Sequence, residues 1–451
     1  MELKKYKLGD IAKIEISGVD KKSVDGETPV RLCNFVDVYR NWAITQKLSE
    51  NFMIASAKET EIAKCSIHKG KVAITKDSET RDDIGIPAYI ADDFDNVLLG
   101  YHCALITPND DVLDGKYLNA FMHTRYIQKY FENNASGSGQ RYTLSNETIF
   151  QIPILLPSLE VQKAIGNLLS NIDRKIELNR QINDNLEKMA KQLYDYWFVQ
   201  FDFPNENGRP YKSSGGAMVW NEKLKREIPK EWDNCTLEYY LIIKNGRDHK
   251  HLGNGIYPVY GSGGEIRKVD SFIYSGESIL MPRKGSLNNI MYVNDAFWSV
   301  DTMFYSEMKQ PHCAKYVFYS IKDIDFTRWD SGTGVPSMTS STLYSILLVK
   351  PDADSLAKFD EIITPLFLMI KKNEMQIVEL TKQRDDLLPL LMNGQASVNY
   401  HLAHSLATFS ISTTILPIFC SSSEENVGIL YRIICSLSPR GILLPFTPFI
   451  T

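Results

Sequence analysis

The chain has 451 residues, 43% hydrophobic and 23% charged, with a formal net charge of −5. That is long enough for two domains with separate cores, and the composition excludes a disordered or collagen-like chain. Seven scattered cysteines with no CxxC pair argue against a disulfide framework or zinc ribbon; the absence of an apolar leader or a long apolar run makes the expected setting a reducing cytoplasm.

Residues 1–157 form a first block. Short β-branched runs at 71–75, 96–99 and 104–106 predict strands, and Leu118, Phe121, Met122, Tyr126 and Tyr130 fall at helical spacing. The block ends in Ser136-Gly137-Ser138-Gly139 and an apolar stretch to Pro157. A first long helix is predicted over 158–200. Val161, Ile165, Leu168, Ile172, Ile176, Asn179, Ile182, Leu186, Met189, Leu193 and Tyr196 keep near-heptad spacing with one slip around 176. Proline, glycine and asparagine then mark 201–231 as an exposed linker.

A second block, 232–351, repeats the style, with strands around 257–260, 278–281 and 290–293 and a helix over 315–321. Its Ser331-Gly332-Thr333-Gly334 leads to Pro351 as the first Ser/Gly loop leads to Pro157. The second long helix, 352–398, carries Leu356, Phe359, Ile363, Leu366, Ile370, Asn373, Ile377, Leu380, Arg384, Leu387 and Leu391 at strict 3-4 spacing, with Pro365 predicting a kink. The tail 399–451 has no heptad phase and only four charged residues in 401–451 (Glu424, Glu425, Arg432, Arg440); it reads as an atypical, poorly ordered appendage.

Two similar blocks, each closed by a helix too long to bury its stripe on one domain, predict an α+β fold. Two α/β-mixed heads would be related by pseudo-two-fold symmetry and joined by a long antiparallel two-helix coiled coil. About 38 helical residues span ~57 Å at ~1.5 Å each, a length suited to a spacer. Ile172, Asn179, Ile182 and Leu186 would form the middle of one seam and Ile370, Asn373, Ile377 and Leu380 the middle of the other. A core asparagine in each would fix register, since out of register it lies unpaired against apolar groups.

No nucleotide-cradling GxxxxGK[ST] loop, HExxH helix or GxSxG elbow occurs, so the chain by itself does not read as an enzyme. His249 and His251 lack a cysteine beside them, and Asp82-Asp83 and Asp92-Asp93 read as solvated loop faces, so no metal site is expected. Recognition chemistry remains. In the first head, Lys69, Lys71 and Lys76 flank a strand, and Ser138, Gln140, Arg141 and Tyr142 follow a loop able to approach a backbone closely. In the second, the counterparts are Tyr260, Ser262, Arg283, Lys284, Thr333 and Ser337. Arginine and glutamine offer bidentate pairing to base edges and lysine suits phosphates. The charge balance runs the other way: 19 basic against 22 acidic residues in 1–157, and 12 of each in 232–351. A DNA-binding domain is usually basic, so any such contact is local or shared with a partner.

Leu156 to Ile165, Leu186 to Phe198, Ile228 to Trp232 and Arg384 to Gly394 together resemble the specificity subunit of type I restriction–modification systems, over essentially 1–400. The resemblance departs at Val161, which separates an otherwise adjacent Glu-Gln, at the start of the second helix and beyond 400. It implies two target-recognition domains, each reading half of a bipartite double-stranded DNA site, with the helices fixing the unread spacer. It further implies two modification subunits that use S-adenosylmethionine to methylate adenine, and translocase-nuclease subunits that use ATP and Mg²⁺. No cofactor would be held by this chain. Two other readings stand beside it: a coiled-coil scaffold with protein-binding heads, and the recognition part of a methyltransferase-nuclease. The bases read, the spacer length and the presence of a nuclease partner are not legible in the residues.

Overall fold

The computed structural model describes residues 2–20, 22–138, 141–329 and 334–398. Gln140, Thr333 and the tail 399–451 lie outside them. Two mixed α/β regions are joined by two long helices, Leu159–Tyr194 and Ala353–Met392. One compact unit comprises residues 1–177 with those from 378 onward, and the other residues 178–377.

In the first unit a five-stranded sheet runs in the order Ala12–Ile16, Cys103–Pro108, Val72–Thr75, Pro87–Ile90, Ala43–Ile44. Val72–Thr75 is buried along its length. The helical spacing seen from Tyr117 to Phe131 resolves into two helices, Gly115–Met122 and Arg125–Asn134. They break at Thr124, whose hydroxyl donates to the Phe121 carbonyl at 2.6 Å while its own carbonyl accepts from Ile127 and Gln128. In the second unit a six-stranded sheet has the order Leu241–Asn245, Met303–Met308, Tyr274–Pro282, Met291–Ser299, Asn254–Gly261, Gly264–Val269.

The duplication in the sequence recurs bond for bond. Lys4–Lys7 pairs antiparallel with Pro153–Leu156, and Asp233–Thr236 with Leu347–Lys350. A one-turn helix follows in each head, opened by Leu8 N donating to Ile152 O and by Leu237 N donating to Ile346 O, both at 2.9 Å. Asn109 N then donates to Ile11 O at 2.9 Å, and Lys309 N to Tyr240 O at 2.8 Å. The phenolic hydroxyls of Tyr117 and Tyr316 donate to the carbonyls of Leu155 and Val349.

The heptad pattern reappears as burial. Every seam position named for the second helix is buried or half-buried, from Leu356 to Leu391. The helix runs unbroken through Pro365, which is exposed on its solvent side. Within each unit the helices run antiparallel. Arg384 pairs with Asp173 at 3.4 Å in one; in the other, Asn179 Nδ2 donates to Gln376 Oε1 at 3.3 Å. The closest polar pairing of the seam is not Asn179 with Asn373. Asn373 Nδ2 donates to Asn183 Oδ1 at 2.8 Å, and Asn183 Nδ2 to Ile370 O at 3.4 Å. Asn183 sits one residue beyond the seam column, yet is only 8% exposed. Asn373→Leu should therefore cost about 1–3 kcal/mol by removing the partner of a buried amide, whereas Asn183→Leu with Asn373→Leu should recover most of that loss. Urea unfolding of both variants checks this.

The 201–231 segment differs from the exposed connector its composition suggests. Phe201 and Phe203 are 1% and 8% exposed and pack on Trp232, the first edge-on and the second stacked, and Met218–Asn221 forms a hairpin with Arg226–Pro229. Turn-forming residues punctuate this backbone, but the aromatics between them join the core built by Trp197, Phe198, Tyr316 and Phe359.

Candidate nucleic-acid interface

In the first head the fully buried strand Val72–Thr75 delivers Lys76 at its end. The Lys76 main chain is held on both sides: its N–H donates to His102 O at 2.8 Å and its carbonyl accepts from Leu144 N at 2.9 Å. His102 adopts the left-handed conformation, φ 72°, and Leu144 is wholly buried. Such a frame fixes where the Lys76 side chain emerges.

The next residues build a small sheet in which Arg141–Thr143 lies between Ser136–Ser138 and Asp77–Ser78. The exposed Arg141 guanidinium lies 2.6 Å from His102 Nδ1 and 3.6 Å from Asp77 Oδ2, and Asp77 also bonds His102. Arg81 stands 5.1 Å over the Tyr142 ring, and the half-exposed Tyr101 packs edge-on against His102 at 3.9 Å. Arg81 and Arg141, with Asp77, Tyr101, His102 and Tyr142, thus make a local charged and aromatic surface beside the Lys76 main chain, on a head of slightly negative net charge.

Lys69 and Lys71 do not join it. They precede Val72–Thr75, so a four-residue strand of ~3.3 Å rise per residue separates them from Lys76. Lys69 N donates to Asp93 Oδ1 at 3.1 Å. Lys71 Nζ donates to Ser66 O at 3.2 Å, and burial lowers its pKa.

The second head uses the same frame. Tyr274–Pro282 ends at Arg283, whose N–H donates to Thr302 O at 2.8 Å and whose carbonyl accepts from Met338 N at 2.9 Å. Met338 is 3% exposed. Lys76, His102 and Leu144 correspond in bonding to Arg283, Thr302 and Met338. The neighbouring residues correspond too: Asp77 pairs with Thr143, and Lys284 with Ser337. Gly285, at φ 92°, donates to Pro336 O at 3.0 Å, and a Cβ there would lie 2.8 Å from Ser262 Oγ. Ser262, Arg283, Lys284 and Ser337 are thereby gathered. Tyr260 stands apart from this set by chemistry: it is a half-buried wall residue whose hydroxyl is pushed up to about 12, chiefly by burial.

Sequence reasoning missed Asp77, Arg81, Tyr101, His102 and Thr302. Only His102 carried a possible signal, as a residue tolerating positive φ between two strand-forming runs. Among the described residues no His/Cys/Asp/Glu group has metal-holding geometry, and no helix is long and apolar enough to cross a membrane.

Residues 1–188 match the family described as Type I restriction modification DNA specificity domain. The Type I restriction enzyme MjaIX specificity subunit of Methanocaldococcus jannaschii is 26% identical over 378 residues, 75% of this chain and 81% of that protein. The HindI specificity subunit of Haemophilus influenzae is 31% identical over 141 residues, 31% of this chain and 30% of that protein. The chain matches the specificity-subunit family of type I restriction–modification systems. The crystal structure of a type I restriction-modification S subunit from M. genitalium has the same fold, with a TM-score of 0.57 at 16% identity over 86% of this chain and 96% of that one. Specificity subunits are the DNA-recognition component and not the catalyst, in agreement with the sequence.

Proposed function

We propose that this chain is the DNA-recognition subunit of a type I restriction–modification complex, with residues 1–157 and 232–351 each reading one half of a bipartite site. The long helices set the unread spacer and dock two modification subunits. Methylation of adenine from S-adenosylmethionine belongs to those subunits, and ATP- and Mg²⁺-dependent translocation to any restriction subunits that join them.

One observation carries the two-headed reading. A basic residue, Lys76 or Arg283, leaves the same doubly bonded strand end in each head, beside the strand or bridge that follows the Ser/Gly loop. A repeated rigid socket for a cation is what phosphate or base-edge contact requires. Ser138, Gln140, Arg141 and Tyr142 in one head, and Ser262, Lys284, Thr333 and Ser337 in the other, are proposed to line the DNA around it. Lys69, Lys71 and Tyr260 are assigned to the periphery.

Lys76→Ala and Arg283→Ala should each weaken binding by about 1–3 kcal/mol, with the loss of base preference confined to one half-site. If either side chain grips phosphate instead, binding should weaken across sequences and the salt slope should fall by about one. Filter binding by the complex assembled with modification subunits, over a salt series, measures both. The second head's zero net charge favours a protein-binding scaffold as the rival reading; under it neither substitution changes DNA binding.

A further inference from the structure

Each head shares an apolar core with the second long helix and adds to it a cation packed on aromatic rings, and these two cation contacts are built with opposite polarity. In the first unit the cation is on the helix. Arg384 occupies a seam position, pairs with Asp173 at 3.4 Å and places its guanidinium 4.6 Å over the Trp42 ring. Trp42 lies flat on His123, centroids 4.1 Å apart at 7°. Its carbonyl accepts from Tyr89 N at 2.9 Å and from Asn119 Nδ2 at 3.2 Å, fixing the ring to the sheet and to Gly115–Met122. Burial, then the Arg384 charge, pushes the His123 imidazole down to about 3, so it stacks as a neutral ring at physiological pH.

In the second unit the cation is on the head. Lys315, 3% exposed, donates to Glu277 Oε1 at 2.7 Å and to Asp360 Oδ1 at 2.8 Å. It lies 5.5 Å from the Tyr292 ring centroid on the sheet and 6.0 Å from that of Phe367 on the helix. His312 Nδ1 lies 2.9 Å from the other Asp360 oxygen, and Lys371 donates to Asp295 Oδ1 at 2.5 Å further along the helix.

Ordinary apolar packing tolerates small rotations, whereas planar stacking and two-ended ion pairing do not. We infer that Arg384 on Trp42, and Lys315 between Glu277 and Asp360, are positioning clamps that hold each head at a fixed angle on the long helices and so sharpen discrimination of spacer length. The inference rests on the bipartite reading proposed above.

The test uses the full chain assembled with modification subunits. Duplexes carry both half-sites, mapped from wild-type adenine methylation, at the native spacer and at one base pair shorter and longer. In Arg384→Met the preference for the native spacer should fall about ten-fold, the scale of one cation–ring and ion-pair contact, with base preferences in both half-sites unchanged. Arg384→Lys keeps the charge beside Asp173 and loses only the planar face, so it should lose part of that preference; it decides the question should Arg384→Met not assemble. Spacer preference at the wild-type ratio in the assembled variants overturns the clamps alone. A wild-type complex that methylates one uninterrupted motif overturns the bipartite reading and the clamps with it.

Discussion

Inserting one heptad at matched levels of both long helices should lengthen the recognised spacer by one to about three base pairs and leave both half-sites unchanged. Seven residues add about 10.5 Å of helix, and duplex DNA advances about 3.4 Å per base pair, so rise alone gives about three. Rotation makes this the upper bound. Seven residues return the seam to within about 20° of its starting phase, whereas three base pairs turn the duplex by roughly 100° at about 10.5 pairs per turn. Insertions between Ile176 and Asn179, and between Ile377 and Leu380, keep Asn183 facing Asn373. Four residues in one helix alone should instead throw the seams out of phase and abolish assembly. Adenine methylation mapped across the host genome reads half-sites and gap together; an unchanged gap in the double insertion would refute the helices as a ruler.

The largest loss of stability should come from Lys315→Met. Its side chain is buried between Glu277 and Asp360, whose side chains are 31% and 17% exposed. Removing the cation leaves two part-buried carboxylates without their shared partner, although Glu277 keeps the Tyr292 hydroxyl and Asp360 keeps His312, at a cost of about 3 kcal/mol. Adding Glu277→Gln and Asp360→Asn should restore most of it, because the uncompensated charges go too. Urea unfolding midpoints order the three proteins. The pH dependence has a definite sign. Burial alone would raise the Asp360 pKa, but bonds from Lys315 and His312 outweigh it and hold the carboxyl below its ordinary value. A depressed carboxylate adds stability above its unfolded pKa and loses it as pH falls through the folded one. Acid should therefore destabilise the wild type more steeply than the triple variant.

The parts of this architecture that reside in local periodicity were legible in the sequence. A 3-4 spacing assigns a face, and the second helix buries that face position by position. The duplicated apolar stretches leading to Pro157 and Pro351 were legible for the same reason, since each copy is short and continuous; most of the second Ser/Gly loop and the end of the first lie outside the described residues. Contacts that close over long sequence separations were not. Nothing near Arg141 announces His102 or Asp77, and nothing near Arg384 announces Trp42 or His123. Asn183 escaped because an antiparallel helix pair also buries a column beside its seam. Lys69, Lys71 and Lys76 flank one strand, but the strand carries its two ends apart, and of the three only Lys76 bonds, through its main chain, to the His102 that meets Arg141. In 201–231 the density of turn-formers hid Phe201 and Phe203, because backbone punctuation is silent on where the side chains between turns go.

The matched strand ends also bear on how such a protein changes what it recognises. Donor and acceptor pairs around Lys76 and Arg283 involve main-chain atoms only, so the bracket is indifferent to the side chains it presents. One copy displays Lys76 followed by Asp77, the other Arg283 followed by Lys284, on the same support. On the reading proposed above, substitutions there would rewrite the lettering of a half-site without disturbing the mount that carries it.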